Sequence, residues 1–105
     1  MNNKGRLKIG FNKYEIIEVK DLIRDKNNRG EINRNNYTIL LDSNCEPIVK
    51  TETLFHEITH CILDQMDNEE LGLDEHFVEL LSKQILYFIL ENKGFVERVM
   101  GDDNN

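Results

Sequence analysis

The chain has 105 residues, a formal net charge of −7 and 39% hydrophobic residues, which together indicate one globular domain (residues 1–105) with a modest core. No apolar run is long enough to span a membrane, and no signal peptide opens the chain, so we expect a cytoplasmic protein without a membrane partner. The excess of acidic residues disfavours nucleic-acid binding, which depends on neutralising phosphates with Lys and Arg.

The basic residues that do cluster alternate with acidic ones, a pattern typical of a solvated loop rather than of a nucleic-acid interface. The cluster consists of Lys20, Arg24, Lys26, Arg29 and Arg34, interleaved with Asp21, Asp25 and Glu31.

The first half of the chain, at about residues 6–42, predicts a small β-sheet, either antiparallel or mixed. Short runs rich in β-branched and apolar residues alternate with polar turns, centred on residues 11–13 and 34–36. Leu40 and Leu41 are adjacent and apolar, so we expect their strand to be covered on both faces. The predicted strands are residues 6–10, 14–20, 31–33 and 37–42.

The second half, at about residues 47–92, predicts two long helices. An amphipathic pattern extends over residues 51–67, and Pro47 is suited to the first turn of that helix. A second helix is expected at about residues 74–92, and the polar end at residues 101–105 is expected to be frayed. The fold class is therefore α+β.

Each predicted helix has an apolar face that we expect to enter the core. On the first helix this face is formed by Leu54, Phe55, Ile58, Cys61, Ile62 and Met66, with His56, Glu57, His60 and Leu63 on the other side. On the second helix it is formed by Phe77, Val78, Leu81, Ile85, Phe88 and Ile89.

The run His56-Glu57-Ile58-Thr59-His60 is an HExxH motif. Histidines four residues apart on a helix project from the same side, at a spacing that lets both bind one tetrahedral Zn²⁺. Glu57 follows the first of them and is placed to take a proton from a zinc-bound water. The opposing interpretation is a surface helix with two solvated histidines.

A catalytic zinc site needs a third protein ligand, for which the start of the second helix offers two carboxylates. Glu75 is preferred because it lies at the edge of the predicted apolar face, and Glu79, which lies further round the helix, is the alternative. Either could also be an ordinary acid in the first turns of a helix, where the dipole favours negative charge.

The cysteines, Cys45 and Cys61, are far apart in sequence and are expected to be free thiols. Cys61 directly follows His60 but points about 100° away from it on a helix, so we expect a small buried hydrophobe rather than a zinc ligand.

Residues 53–63, TLFHEITHCIL, followed by residues 74–81, DEHFVELL, resemble small phage and prophage metallopeptidase-like proteins related to the ImmA/IrrE zinc peptidases of the gluzincin type. The resemblance covers roughly residues 30–92. It implies a short, strongly curved sheet followed by two helices, with His56, His60 and Glu75 as zinc ligands and Glu57 as catalytic base. It also implies the cytoplasm of a bacterium or a phage-infected host.

The resulting hypothesis is a zinc metallopeptidase that hydrolyses a peptide bond in a protein substrate. Tyr37 and His76 are the candidates for stabilising the oxyanion, although a strand-face Tyr and a helix-surface His are the simpler interpretations. One alternative is a zinc-stabilised, phage-encoded binding module without turnover. Another is a structural or interaction protein whose histidines are paired by chance.

Overall fold

The computed structural model describes residues 2–23, 28–66 and 69–101 and has a mixed α+β architecture, as the sequence predicts. A four-stranded sheet forms the N-terminal half and helices form the C-terminal half. The strands are β1 (Asn2–Ile9), β2 (Asn12–Val19), β3 (Gly30–Asn33) and β4 (Thr38–Asp42), and the helices are α1 (Pro47–Gln65), α2 (Glu69–Gly72), α3 (Glu75–Glu91) and α4 (Lys93–Gly101).

The sheet is mixed, with strand order β1-β2-β4-β3. The β1–β2 and β3–β4 pairs are antiparallel hairpins, whereas β2 and β4 run parallel. β4 therefore lies inside the sheet. Ile39 and Leu41, which share one face, are almost fully buried, whereas Leu40 on the other face is half-buried, so the predicted cover of both faces is only partial there. β3 is an edge strand, paired only with β4 among the described residues.

The first hairpin turns earlier than the sequence predicts, at Gly10 and Phe11 rather than at residues 11–13. Ile9 pairs with Asn12, so the turn has two residues. Gly10 has a φ of 63°, which glycine adopts without strain. A Cβ atom there would also collide with the side chain of Gln65, whose amide donates a 2.6 Å hydrogen bond to the carbonyl of Ile9.

The main core lies between the sheet and α1. It contains Ile9, Tyr14, Ile16, Ile39, Leu41 and Cys61, with Leu54 and Ile58 packed against it. At the start of α1, an ion pair of 3.0 Å joins Lys50 to Glu18 of β2. Helix α1 is thereby fixed along the sheet, which sets the direction in which its histidines project.

The predicted core face of α1 is only partly correct. Ile62 and Met66 are 44% and 64% exposed, whereas Glu57 and Leu63 are buried. The reason is that α1 contacts the sheet on one side and α3 on another, so its buried residues do not form a single stripe. The helix begins at Pro47, which lies in its first turn as expected, and so extends beyond the amphipathic pattern of residues 51–67. Asp67, where it was predicted to end, lies outside the described residues.

The predicted core face of α3 is rotated from the observed one. The buried residues are Val78, Ser82 and Leu86, whereas Ile85 and Phe88 are 42% and 55% exposed. An apolar pattern overlooks Ser82, yet its small side chain is 1% exposed, and its hydroxyl donates a 3.1 Å hydrogen bond to the carbonyl of Glu79.

The C-terminal end differs from the prediction in one further respect, because a helix of nine residues, α4, follows α3. Gly101, predicted to be frayed, belongs to α4, and residues 102–105 lie outside the described residues. None of the described helices is long and apolar enough to cross a membrane. Arg24, Asp25 and Lys26 of the predicted solvated loop also lie outside the described residues.

Candidate metal centre

The HExxH segment lies in the middle of α1. Its two imidazoles converge, with Nε2 of His56 and Nε2 of His60 only 3.2 Å apart. The side chains are mostly covered, at 19% and 12% exposure. The two ring nitrogens are therefore close enough to share one metal ion or one proton.

Glu75 provides the third donor from the first residue of α3. The N-terminus of this helix is fixed because Asp74 accepts a 3.0 Å hydrogen bond from the amide of Phe77. Glu75 Oε1 lies 3.1 Å from His56 Nε2 and 3.4 Å from His60 Nε2. Glu75, rather than Glu79, is therefore the carboxylate that meets both Nε2 atoms.

The three donors fit a zinc ion. Tetrahedral zinc with bonds of 2.0–2.2 Å places its ligand atoms about 3.3 Å apart. The separations among His56, His60 and Glu75, from 3.1 to 3.4 Å, are close to that value on all three edges. The donor set is two imidazoles and one carboxylate, which is a ligand set of catalytic zinc sites. Because Glu75 is 70% exposed, the fourth position of such a tetrahedron can open to solvent.

Glu79 lies behind His56 instead of beside the other donors. Its Oε1 is 3.2 Å from Nδ1 of His56, close in distance but without hydrogen-bond geometry, so that the buried Nδ1 has no formed hydrogen bond. Lys83, one turn on, pairs with the other Glu79 oxygen at 2.8 Å and lowers the Glu79 pKa. A charged carboxylate is therefore held next to the nitrogen of His56 that faces away from the donors.

Glu57 is the buried carboxyl group of the site, at 9% exposure. Burial raises its pKa to about 7, while His60 acts in the opposite direction. A carboxyl group with a pKa close to neutral can both accept and release a proton at ordinary pH. A buried, strongly shifted group beside metal-type ligands is also the combination that marks functional sites.

Two adjoining clefts meet at the candidate metal centre, and both are lined by Glu57, His60 and Glu75. The first, of about 640 Å³, is bounded further by Ile32, Arg34, Asp64, Gly72 and Leu73. The second, of about 400 Å³, extends past His56 to Glu52 and Thr53 and to residues 28–31 at the start of β3.

The structure brings four of the predicted site residues together, namely His56, Glu57, His60 and Glu75, with Glu79 adjacent. It does not bring Tyr37 or His76 into either cleft. Tyr37 has a left-handed φ of 54° in the β3–β4 turn, and its ring packs edge-on against Tyr14 at 5.5 Å. His76 is an exposed residue of the first turn of α3.

Cys61 is 1% exposed and belongs to the core, and both Cys45 and Cys61 are free thiols, as predicted. Burial raises the pKa of the Cys61 thiol, which favours its protonated form and disfavours metal binding.

Arg34 and Asp64 line the larger cleft but were not predicted as site residues. Arg34 was interpreted as part of a solvated loop. A signal for Asp64 did exist in the sequence, because it continues the four-residue spacing of His56 and His60 along one face of α1. The position of Arg34 in the cleft depends on how β3 packs against α1, and no local sequence pattern indicates that packing.

Comparisons of the chain with protein-family models, with curated proteins and with solved structures give no match.

Proposed function

We propose that this protein is a zinc-dependent metallopeptidase that hydrolyses a peptide bond in a protein substrate. The observation that supports this most directly is the set of separations among His56, His60 and Glu75, with the buried carboxyl group of Glu57 beside them. The donor set can hold a zinc ion, Glu57 can act as a general base, and the cleft that they line is open to solvent.

In this proposal His56, His60 and Glu75 hold the metal. Bound zinc supplies a Lewis acid that polarises the substrate carbonyl and makes water more acidic. Glu57 accepts the proton of the attacking water and delivers it to the leaving amine. A divalent charge beside Glu57 favours its ionised form, which opposes the effect of burial on its pKa.

An extended peptide can reach the site along β3. This strand is at the edge of the sheet, and residues 28–31 and Ile32 line the two clefts that meet at the metal centre. Main-chain hydrogen bonds to an edge strand hold a peptide without regard to most of its side chains. The substrate in this proposal is therefore an extended segment of a protein.

The resemblance of residues 53–63 and 74–81 to the ImmA/IrrE zinc peptidases supports the same proposal. It also favours action in the cytoplasm of a bacterium or of a phage-infected cell, on a substrate such as a regulatory protein.

The experiment that tests this proposal uses zinc-loaded wild type and the Glu57→Gln variant on a library of bacterial peptides, with new termini read by mass spectrometry. Gln keeps the size of Glu but cannot accept the proton. We expect cleavage by wild type and a loss of about 10²–10⁴-fold in the variant, with one zinc per chain in both. Equal cleavage by the two zinc-loaded proteins would show that Glu57 is not the base.

A second candidate function is a zinc-stabilised binding module without turnover. It is favoured by the apolar side chains that α3 and α4 leave exposed, since exposed apolar groups on neighbouring helices offer a surface for a partner. Among them are Leu80, Phe88, Phe95, Val99 and Met100, at 50–65% exposure. One zinc per chain with no new peptide termini from wild type would favour this module over the peptidase.

A further inference from the structure

The larger cleft contains one cation among the described residues that line it. The lining carboxyl groups are Glu57, Asp64 and Glu75, while the apolar walls include Ile32 and Leu73. The whole chain is acidic, with a net charge of −7. An anionic group that enters this cleft is therefore repelled by most of its charged side chains. Arg34 is the lining side chain that attracts it, in addition to the metal ion of the proposed function.

Arg34 is held side-on by Asp64. Both Nε and Nη2 of the guanidinium donate to the same oxygen, Asp64 Oδ2, at 2.8 and 2.6 Å. This contact joins the β3–β4 turn to α1 and raises the already high pKa of Arg34, principally through the hydrogen bond. The orientation of the guanidinium is thus fixed before any ligand arrives.

The pairing with Asp64 uses only one edge of the guanidinium. Arg carries five N–H donors in a planar fork, and no other described residue accepts from Arg34. The Nη1–Nη2 edge therefore keeps two parallel donors, a geometry that matches the two oxygens of a carboxylate. The side chain of Arg34 is 56% exposed, so a ligand can reach this edge.

We propose that Arg34 is a specificity-determining residue that binds a carboxylate of the peptide substrate, on the side of the metal centre where α1 ends. The carboxylate is either an Asp or Glu side chain or the C-terminus of the substrate. This inference rests on the proposed peptidase function. It adds that the site prefers acidic substrates even though the protein is itself acidic.

The test uses small zinc-binding probes with and without a carboxylate. The monohydroxamates of malonic, succinic, glutaric and adipic acid place a carboxylate at increasing distance from the metal-binding group, and their primary amides are the uncharged controls. We expect one length at which wild type binds the acid about tenfold more tightly than the amide, since a charge-assisted hydrogen bond is worth roughly that much.

The matched variants are Arg34→Gln and Arg29→Gln, each with zinc content measured. Arg29 lines the other cleft and controls for the loss of one positive charge near the metal. Arg34→Gln should bind acid and amide equally and Arg29→Gln should keep the preference. If zinc-loaded wild type does not prefer the acid over the amide at any probe length, or if Arg34→Gln keeps that preference, this inference alone is overturned. A wild type that binds no zinc overturns the proposed function with it.

Peptide cleavage then distinguishes the two sources of the carboxylate. If the C-terminus is bound, amidating it removes the difference in cleavage between wild type and Arg34→Gln. If a side chain is bound, replacing Glu and Asp of the peptides by Gln and Asn removes that difference. If zinc-loaded wild type cleaves the peptides equally well before and after each change, the inference is contradicted.

Discussion

Glu57 combines burial with titration near neutral pH, which has a consequence for stability in the absence of metal. Its folded pKa of about 7 lies above its ordinary value of 4.5. Between these values the folded protein holds a proton that the unfolded chain releases. The contribution of Glu57 to stability is therefore fully present below about pH 4.5 and is lost as the pH rises through about 7.

We predict that Glu57→Gln removes this dependence on pH. In chelator, the variant should be more stable than wild type at pH 8 by up to about 3 kcal/mol, because a neutral amide needs no deprotonation in a buried site. Urea unfolding at pH 5 and pH 8 measures the difference. The matched control is Glu52→Gln on the same helix, which should retain the wild-type pH dependence. Identical pH profiles for Glu57→Gln and wild type would contradict the prediction.

A second prediction concerns the two carboxylates of α3. Glu75→Ala should weaken zinc binding more than Glu79→Ala, because Glu75 approaches both Nε2 atoms whereas Glu79 approaches only Nδ1 of His56. Glu79→Ala should reduce zinc affinity by about 10–100-fold, the usual effect of removing a carboxylate that lies behind a ligand histidine. Competition with a chromogenic chelator gives both affinities. A greater loss in Glu79→Ala would identify Glu79 as the ligand.

At the scale of elements, the clefts depend on the close approach of β3 to α1. A Cβ atom on Gly30 would lie 2.6 Å from Cγ2 of Thr53 and 3.0 Å from the carbonyl oxygen of Leu40. Thr53 is itself held by a 2.8 Å hydrogen bond to the carbonyl of Val49. At Gly30, the edge strand that borders both clefts is therefore packed against α1 with no space for a side chain.

We predict that Gly30→Ala destabilises the protein by about 1–3 kcal/mol, as overpacking commonly does. Thr53→Ser removes the nearest methyl group and keeps the hydroxyl, so the double variant should recover part of the loss. Denaturant unfolding of the wild type, the two single variants and the double variant gives the coupling energy. Strictly additive effects would mean that β3 and α1 do not meet at these residues.

The elements also show where a sequence pattern is insufficient. The two long helices, α1 and α3, and the presence of a sheet follow from periodicity and turn residues, and the ends of these elements mostly agree within a few residues. Helices α2 and α4 do not follow, and the pattern leaves open whether the sheet is antiparallel or mixed. The apolar pattern predicts the buried faces of the helices less well, because α1 is covered both by the sheet and by α3. Ser82 is buried while Phe88 stays exposed, and the Ser82 hydroxyl is satisfied within its own helix by the carbonyl of Glu79.

At the scale of the molecule, the candidate zinc ion would join the middle of α1 to the start of α3, across the short segment that separates them. Because the unfolded chain does not hold His56, His60 and Glu75 together, binding energy becomes folding energy. A metal site formed by two helices should therefore stabilise the entire helical half.

We predict that zinc at about 1,000 times its dissociation constant raises the free energy of unfolding by about 4 kcal/mol, and that a chelator reverses this. His60→Ala should lose most of the gain. The matched control is His76→Ala, since His76 is exposed and lies outside both clefts, and this variant should retain it. Thermal unfolding with and without zinc measures each case. The same gain in His60→Ala as in wild type would rule out this metal centre.

The sequence by itself determined the α+β class and the helical placement of His56, Glu57 and His60, because periodicity and a four-residue spacing are local properties of the chain. It also favoured Glu75 over Glu79, and the structure gives Glu75 the position next to both histidines. Whether these residues bind zinc and hydrolyse peptides stays a prediction.

Only the tertiary structure decided the burial of Glu57, the position of Glu79 behind His56, and the presence of Arg34 in the cleft. Each depends on elements distant in sequence. The pKa of Glu57 rises because the fold around α1 excludes water, and Arg34 reaches the site because an ion pair joins the β3–β4 turn to Asp64 of α1. Desolvation and long-range pairing are properties of packed surfaces, which local patterns in a single chain do not specify.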